Sequence, residues 1–89
     1  MHSMFYTYVL KSNKSARLYT GYTDNLRKRL SEHNGGKSVY TKNRGLYTLI
    51  YYEACTEQVD ARSRELYLKS GKGKRYLTSR LKRFLFHTG

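Results

Sequence analysis

The sequence contains few cysteines, few acidic residues and no long apolar run. Cys55 is the only cysteine among 89 residues, so no disulfide forms within the chain and a reducing compartment such as the cytoplasm is expected. A lone cysteine without partner ligands is typical of a small buried apolar residue rather than of a nucleophile. No apolar stretch approaches the roughly 20 residues that a membrane-spanning helix needs, and the first residues lack the apolar block of a secretory signal. We therefore expect neither a membrane protein nor a secreted one.

Acidic residues are scarce relative to basic ones. Six Asp and Glu against eighteen Lys and Arg give a formal net charge of +12. An excess of this size favours a polyanionic partner, and a nucleic acid is the partner that we expect. A ribosomal type of RNA binding and an anionic membrane surface are the alternatives, and the absence of an apolar run weakens the second.

Tryptophan is absent, whereas ten tyrosines and three phenylalanines are present. Aromatic faces interleaved with cations suit the bases and sugars of a nucleic acid. Tyrosine is also an ordinary strand residue, and we assign most of these side chains to a sheet.

Two alternating segments near the N-terminus predict a β-hairpin. Residues 4–11 and 16–23 carry apolar or aromatic side chains at alternate positions, and small polar residues separate the two segments. The register that we expect places Tyr8 directly opposite Tyr19 on one face of the sheet. A shift of one residue would turn the two phenols to opposite faces.

The first predicted helix carries an arginine and a histidine beside its apolar stripe. At 3.6 residues per turn, Leu26 and Leu30 define the stripe that faces the core. Arg29 and His33 lie one helical step apart along the edge of that stripe, where a side chain reaches a cleft between helix and sheet. The alternatives are an ordinary arginine on a basic helix, which we accept for Arg27, and an imidazole bonded to a carbonyl at the helix end.

The second predicted helix carries a glutamate. Its apolar residues form two weak stripes, one with Val59 and Leu66 and one with Ala61 and Leu68. Glu65 belongs to the second stripe. A lysine stands four residues after this glutamate, in the favourable orientation for an ion pair on a helix, and that pair is the purely structural interpretation of the carboxylate.

The predicted elements follow the order ββαβαα. Beyond the hairpin, the predicted elements are a helix capped by Thr23 or Asp24 and ending at Asn34, a strand over 46–53, a helix over 57–70 and a basic helix over 72–83. This order predicts an α/β fold, a small sandwich in which helices flank a three-stranded antiparallel sheet. We expect residues 1–89 to form a single domain, with a core at about 4–74 and the basic C-terminal helix at about 72–86.

The ordered set of these residues resembles the GIY-YIG nuclease domain. The segments that carry the resemblance are Phe5–Leu10, Leu18–Thr23, Glu32–Asn34, Tyr40–Lys42 and Arg64-Glu65. The resemblance covers about residues 4–74 and looks closest to the small stand-alone bacterial members. That family has a three-stranded sheet flanked by helices, a tyrosine on each hairpin strand, an arginine on the first helix and a glutamate on a later one. The resemblance therefore implies phosphodiester hydrolysis at Tyr8, Tyr19, Arg29, His33 and Glu65.

Each of these five residues has an implied role. Arg29 pairs with phosphate oxygens, and Glu65 holds Mg²⁺ or Mn²⁺, a cation that keeps several waters and accepts a substrate phosphate as a further ligand. Tyr8 is the expected general base and Tyr19 is expected to position the phosphate; the reverse assignment is the alternative. Nearby cations are expected to lower the pKa of the phenol from its ordinary value of about 10. His33 donates to a phosphate or assists proton transfer. If the two tyrosines only pack within the sheet, loss of their hydroxyls is harmless.

A basic surface completes the prediction. The expected nucleic-acid-binding residues are Lys37, Lys42, Arg44, Lys69, Lys72, Lys74 and Arg75. Such contacts set affinity and salt dependence without reading sequence. The sequence predicts a divalent-metal-dependent DNA endonuclease that acts in repair or recombination. We expect it to recognise the structure of its DNA, which is branched, flapped or single-stranded, rather than a sequence. A protein partner is a candidate source of specificity. The alternatives are a non-catalytic nucleic-acid-binding module on the same fold and a basic RNA-binding accessory protein.

Overall fold

The computed structural model describes residues 3–35 and 46–86. Within these ranges the elements are β1 (Phe5–Ser12), β2 (Leu18–Thr23), α1 (Leu26–Asn34), β3 (Tyr47–Cys55), α2 (Gln58–Lys69), α3 (Gly71–Arg80) and α4 (Lys82–Leu85). The strands form one antiparallel sheet in the order β2-β1-β3. The predicted fold class is confirmed. The basic C-terminal helix is divided into α3 and α4, because Leu81 leaves helical geometry at φ −110° and ψ 22°.

The core has two layers because the central strand β1 is buried on both faces. The layer beneath α1 contains Tyr8, Leu10, Tyr47, Leu26 and Leu30. The layer beneath α2 and α3 contains Val9, Leu68 and Leu77. Side chains alternate between the faces of a strand, so β1 supplies both layers, and the sheet lies between α1 and the α2–α3 pair.

The hairpin register differs from the prediction by two residues. Tyr8 pairs with Gly21 rather than with Tyr19. The turn begins one residue later than predicted, because Ser12 still extends β1 and its hydroxyl accepts two backbone N–H groups of the turn. Ala16, in the left-handed region at φ 63°, lies at the end of the turn. Since the shift is even, both tyrosines still share one face of the sheet.

The first helix is held at both ends by asparagine side chains. Asn25 is the N-cap, and its side chain accepts a backbone N–H of the first turn at 3.1 Å. The predicted caps, Thr23 and Asp24, are therefore wrong; the Thr23 hydroxyl instead accepts the N–H of Asn25. The helix ends at Asn34 as predicted, and the Asn34 amide bonds both the N–H and the carbonyl of Tyr47. This pair of bonds fixes the end of α1 against the start of β3.

Helix α2 buries only one of its two predicted stripes. Ala61, Glu65 and Leu68 are buried, whereas Val59 and Leu66 are 74% and 58% exposed. The burial of one face carries a carboxylate into the protein. Glu65 is buried because its position on α2 lies between those of Ala61 and Leu68, two core residues on the same face of the helix.

Cys55, expected to be buried, is only partly buried at the end of β3, where its thiol donates to the carbonyl of Glu57 at 3.4 Å. Among the helices of residues 3–35 and 46–86, none has the length and apolar character needed to cross a membrane.

Candidate active site

A cavity of about 360 Å³ collects four of the five predicted site residues. Tyr8, Tyr19, Arg29 and Glu65 line it together with Gly21, Tyr22, Arg62 and Lys69. These side chains come from β1, β2, α1 and α2. The fold therefore brings two phenols, a guanidinium and a carboxylate from four separate elements to one place.

The cavity lies at the β2 edge of the sheet. Tyr19 and Gly21 occupy the same face of the sheet as Tyr8, because their positions in β2 alternate with those of the other face. Tyr22 occupies the opposite face, towards α2, yet it lines the same cavity. Since β2 is an edge strand, side chains from both faces meet around its open side.

Gly21 allows the Tyr8 ring to lie across β2. A Cβ atom at this position would stand 2.5 Å from Tyr8 Oη and 2.7 Å from Tyr8 Cζ, which is closer than real Cβ contacts. A side chain at residue 21 would have to displace the phenol. The glycine of the Tyr19-Thr20-Gly21 segment is thus required by the packing of the first tyrosine.

Tyr8 is buried, and its hydroxyl forms a hydrogen bond. Its side chain is 1% exposed, and its Oη lies 2.9 Å from His33 Nε2. Burial raises the pKa of Tyr8 to about 12, although a hydrogen bond from Arg29 acts in the opposite direction. Arg29 lowers the Tyr8 pKa as predicted, but desolvation outweighs it, so the net shift in the protein without metal is upward and not downward.

His33 lies behind Tyr8 rather than in the cavity wall. Its side chain is buried, and its ring centroid lies 4.9 Å from that of Tyr19. Burial and the charge of Arg29 lower the pKa of His33 to about 4, so the imidazole is neutral at pH 7. This position does not suit the predicted contact with a phosphate. The other predicted role, assistance to proton transfer, fits the contact with Tyr8.

Arg29 is half-buried and keeps its charge. Its Nη1 donates to Glu32 Oε1 at 3.1 Å. Burial alone would lower the pKa of Arg29, but the hydrogen bonds to Glu32 and Tyr8 raise it. Glu32 has no predicted role. It lies outside the lining of the cavity and holds the Arg29 guanidinium through this ion pair. Its spacing of three residues from Arg29 on α1 is the signal that could have indicated it.

Glu65 is a buried carboxylate with two cationic partners. It is 4% exposed, and its oxygens accept from Arg62 Nη1 at 2.7 Å and from Lys69 Nζ at 2.8 Å. The predicted ion pair with Lys69 is therefore present, and the same carboxylate lines the cavity. Arg62 was missed by the sequence analysis, although it stands three residues before Glu65 on the same helix.

The cavity suits a metal that the substrate helps to bind. Among the described residues, Glu65 is the only carboxylate that lines the cavity, and no group of three or more His, Cys, Asp or Glu side chains is arranged to hold a metal. Mg²⁺ keeps several waters and uses one or two carboxylates together with substrate phosphates. Glu65 fits that mode of binding and does not fit a preformed cage of protein ligands.

The predicted basic surface is only partly described. Lys69 lines the cavity, and Lys72, Lys74 and Arg75 are exposed on α3. The remaining predicted contacts, Lys37, Lys42 and Arg44, lie outside the described residues, as does the Tyr40–Lys42 segment.

Residues 4–77 match the GIY-YIG catalytic domain. The chain therefore belongs to the GIY-YIG family, and the predicted resemblance is confirmed.

Similar individual proteins carry the name UPF0213. One from Clostridium perfringens is 46% identical over 67 residues, which cover 74% of this chain and 71% of that protein. One from Staphylococcus haemolyticus is 41% identical over 66 residues, covering 73% and 79%. The solution NMR structure of a UPF0213 protein from Bacillus halodurans matches with a TM-score of 0.53 at 32% identity, covering 85% of this chain and 83% of that one.

Proposed function

We propose that the protein is a DNA endonuclease that hydrolyses phosphodiester bonds with Mg²⁺ or Mn²⁺. The observation that carries the proposal is the cavity in which Tyr8, Tyr19, Arg29 and Glu65 meet, in a member of the GIY-YIG family. A cytoplasmic location, recognition of DNA structure rather than sequence, a protein partner and a role in repair or recombination belong to the same proposal. The net charge of +12 supports a polyanionic substrate.

The first requirement of the reaction is to bind and neutralise the scissile phosphate. Arg29 presents a guanidinium that matches two phosphate oxygens, and Arg62 and Lys69 add positive charge to the same cavity. Cationic donors of this kind stabilise the charge that develops in the transition state. Tyr19, which shares the cavity, positions the phosphate in this proposal.

The second requirement is to orient and deprotonate a water molecule. Because the Tyr8 pKa is about 12 in the protein alone, its hydroxyl carries a proton at neutral pH. The neutral His33 lies 2.9 Å away and can take that proton from Oη while Oη accepts one from the water. In this arrangement Tyr8 is the general base and His33 completes the proton path behind it.

The third requirement is a cation close to the phosphate, for which Glu65 is the protein ligand. A bound divalent cation would supply Lewis-acid stabilisation of the phosphate oxygens and a lower pKa for a coordinated water. Glu65 must then exchange or share its bonds to Arg62 and Lys69. Both of these cations can turn to the phosphate, since their side chains are 58% and 49% exposed.

The bonds of Glu65 also favour a second candidate function. Both carboxylate oxygens already accept from cations, which is the arrangement expected of a residue that only holds α2 together. A non-catalytic nucleic-acid-binding module with the same fold would use the cavity for phosphate and bind no metal.

Cleavage of end-labelled DNA separates the two functions. Purified protein is incubated with Mg²⁺ or Mn²⁺ and with linear duplex, single-stranded, flapped and branched DNA. We expect cleavage of at least one substrate, its loss in EDTA, and a decrease of about a hundredfold or more in Glu65→Gln with DNA binding retained.

Glu53→Gln is the matched control. Glu53 is a partly buried carboxylate that, like Glu65, accepts from an arginine, Arg64, but it lies outside the cavity lining. This variant should cleave as the wild type does. Binding without cleavage on every substrate would favour the non-catalytic module, and equal cleavage by Glu65→Gln would remove the proposed metal ligand.

A further inference from the structure

A second cavity adjoins the candidate active site on the α3 side of β2. Its volume is about 540 Å³, and it shares Tyr19 and Lys69 with the active-site cavity. The two spaces are therefore neighbours that these two side chains separate. The volume lies in the range of pockets that hold small organic groups.

The walls of this second cavity combine an apolar floor with a cationic rim. Leu18 and Thr20 of β2 face Leu68 and Leu77 of α2 and α3. Within the part of the chain that the structure describes, the charged residues of its lining are Arg17, Lys69 and Lys74, and none is a carboxylate. The chemistry is complementary to a molecule with a flat apolar part and an adjoining negative charge.

A third cavity adjoins the active site on the opposite side. It measures about 460 Å³ and shares Tyr22 and Arg62 with the active-site cavity. Its lining includes Val59 and Leu66, two of the exposed apolar side chains of α2. The β2 residues in the three linings follow one another along the strand, with Leu18 and Thr20 in the second cavity, Gly21 in the active-site cavity and Tyr22 in the third. The three cavities therefore form a row along the edge of β2 with the candidate active site in the middle.

We infer that an unpaired DNA strand lies along this row and that the nucleoside beside the scissile phosphate occupies the 540 Å³ cavity. The part that concerns the scissile phosphate rests on the proposed function. A base and its sugar supply the apolar surface for the floor, and the flanking phosphates meet Arg17 and Lys74. Cationic grooves with apolar or aromatic surfaces are the usual means of binding single strands. In a duplex the base faces are stacked on one another, so the floor would stay uncovered.

Equilibrium binding in EDTA tests the inference without cleavage. Fluorescence anisotropy compares a short oligothymidylate with an abasic deoxyribose-phosphate strand of the same length and charge, and with the oligothymidylate paired to oligodeoxyadenylate. We expect the unpaired oligothymidylate to bind about fivefold or more tightly than the abasic strand, and more tightly than the duplex.

A pair of leucine variants locates the contribution of the base. Leu18→Glu places a negative charge in the wall of the second cavity. Leu18 is 42% exposed, so the fold should tolerate the change. The advantage of the oligothymidylate should disappear. Leu46→Glu makes the same change at a 59% exposed leucine that precedes the opposite edge strand, and it should keep the advantage. Equal binding of thymidylate and abasic strands by the wild type, tighter binding of the duplex, or an undiminished advantage in Leu18→Glu would overturn the inference.

Failure of this inference and failure of the proposed function give different results. A protein that cleaves DNA but binds thymidylate and abasic strands equally has the proposed activity without this strand path. A protein that discriminates the two strands but cleaves no substrate has the strand path without the activity.

Discussion

The buried contact between Tyr8 and His33 has consequences for stability as well as for chemistry. A phenol that is 1% exposed and an imidazole that is equally buried satisfy each other at 2.9 Å. Removing one partner deprives the other of a buried hydrogen bond, which contributes about 0.5–1.5 kcal/mol to stability. The pair therefore fixes both side chains in one arrangement.

The stability of the fold should decrease as the pH falls from about 6.5 towards 4. The folded pKa of His33 is about 4, below its ordinary value of 6.5, so the unfolded chain binds this proton first and the folded state is disfavoured as the pH falls. The full shift corresponds to about 3 kcal/mol of unfolding free energy. Urea unfolding at several pH values measures it. His33→Gln, which cannot titrate, should show a flatter dependence, and parallel curves for the two proteins would contradict the assignment.

Arg29 and Arg27 should differ sharply although they stand two residues apart on α1. Arg29 lines the cavity, whereas Arg27 is exposed and lies outside its lining. Arg29→Lys keeps the charge but removes the planar guanidinium, which can donate two parallel hydrogen bonds to a phosphate, so cleavage should slow by about tenfold or more. Arg27→Lys should cleave as the wild type does. Steady-state cleavage rates at equal DNA occupancy make the comparison, and equal rates in the two variants would exclude the bidentate role.

At the residue scale, the sequence anticipated which side chains meet but not how they are bonded. Spacing on α1 and α2 placed Arg29 and Glu65 beside the core, and the structure finds both at one cavity. The direction of the Tyr8 pKa was mispredicted, because depth of burial depends on both layers of the core. Periodicity contains no information about that depth. The partnership of Arg62 with Glu65 was readable from helical spacing but was not recognised.

At the element scale, the even shift in the hairpin preserved the site. The predicted register was wrong, because Ser12 continues β1 and Ala16 takes a left-handed conformation. Alternation in a strand has a period of two, so an error of two residues leaves every side chain on its predicted face. Sequence pattern therefore determined the faces, whereas the turn geometry that sets the register depended on hydrogen bonds of a serine hydroxyl.

The packing of α3 against α2 should depend on one of two nearby glycines. A Cβ atom at Gly73 would collide with the backbone of α2 at Tyr67 and Leu68, whereas at Gly71 the nearest contact would be 3.7 Å from a side-chain nitrogen of Arg75. Gly73→Ala should lower the free energy of unfolding by about 1–3 kcal/mol. Gly71→Ala should leave it unchanged or raise it by up to about 1 kcal/mol, since alanine favours a helix.

Chemical denaturation of the two alanine variants measures this difference. Equal stabilities would show that α3 does not pack on α2 through Gly73.

At the scale of the whole molecule, the net charge indicates the type of partner and the shape of the surface indicates its position. The net charge of +12 predicts a polyanion but not its position. In our inference this partner binds along the row of cavities at the β2 edge of the sheet. Such a path is formed by β2, α2 and α3 together, and for this reason no segment of sequence indicated it.

DNA affinity should fall by about tenfold to a hundredfold between about 50 and 200 mM salt, because phosphate contacts release counterions. Arg17→Gln, in the lining of the second cavity, should reduce the slope of log affinity against log salt by about one unit. Lys82→Gln on α4 lies outside the linings of these three cavities and should reduce the slope less. Anisotropy titrations at several salt concentrations provide the slopes, and a flat response would rule out a phosphate-dominated interface.

The single-turnover rate of DNA cleavage in Tyr8→Phe tests the central claim most directly. Tyr51→Phe is the matched control, because it also removes a hydroxyl with hydrogen bonds: the Tyr51 hydroxyl donates to Glu53 and accepts from the Tyr76 hydroxyl. Tyr51 lies outside the cavity lining. With divalent metal and saturating protein, we predict that Tyr8→Phe cleaves about a hundredfold or more slowly than the wild type, whereas Tyr51→Phe keeps a rate near that of the wild type. Cleavage by Tyr8→Phe at the wild-type rate would show that this phenol only packs within the sheet.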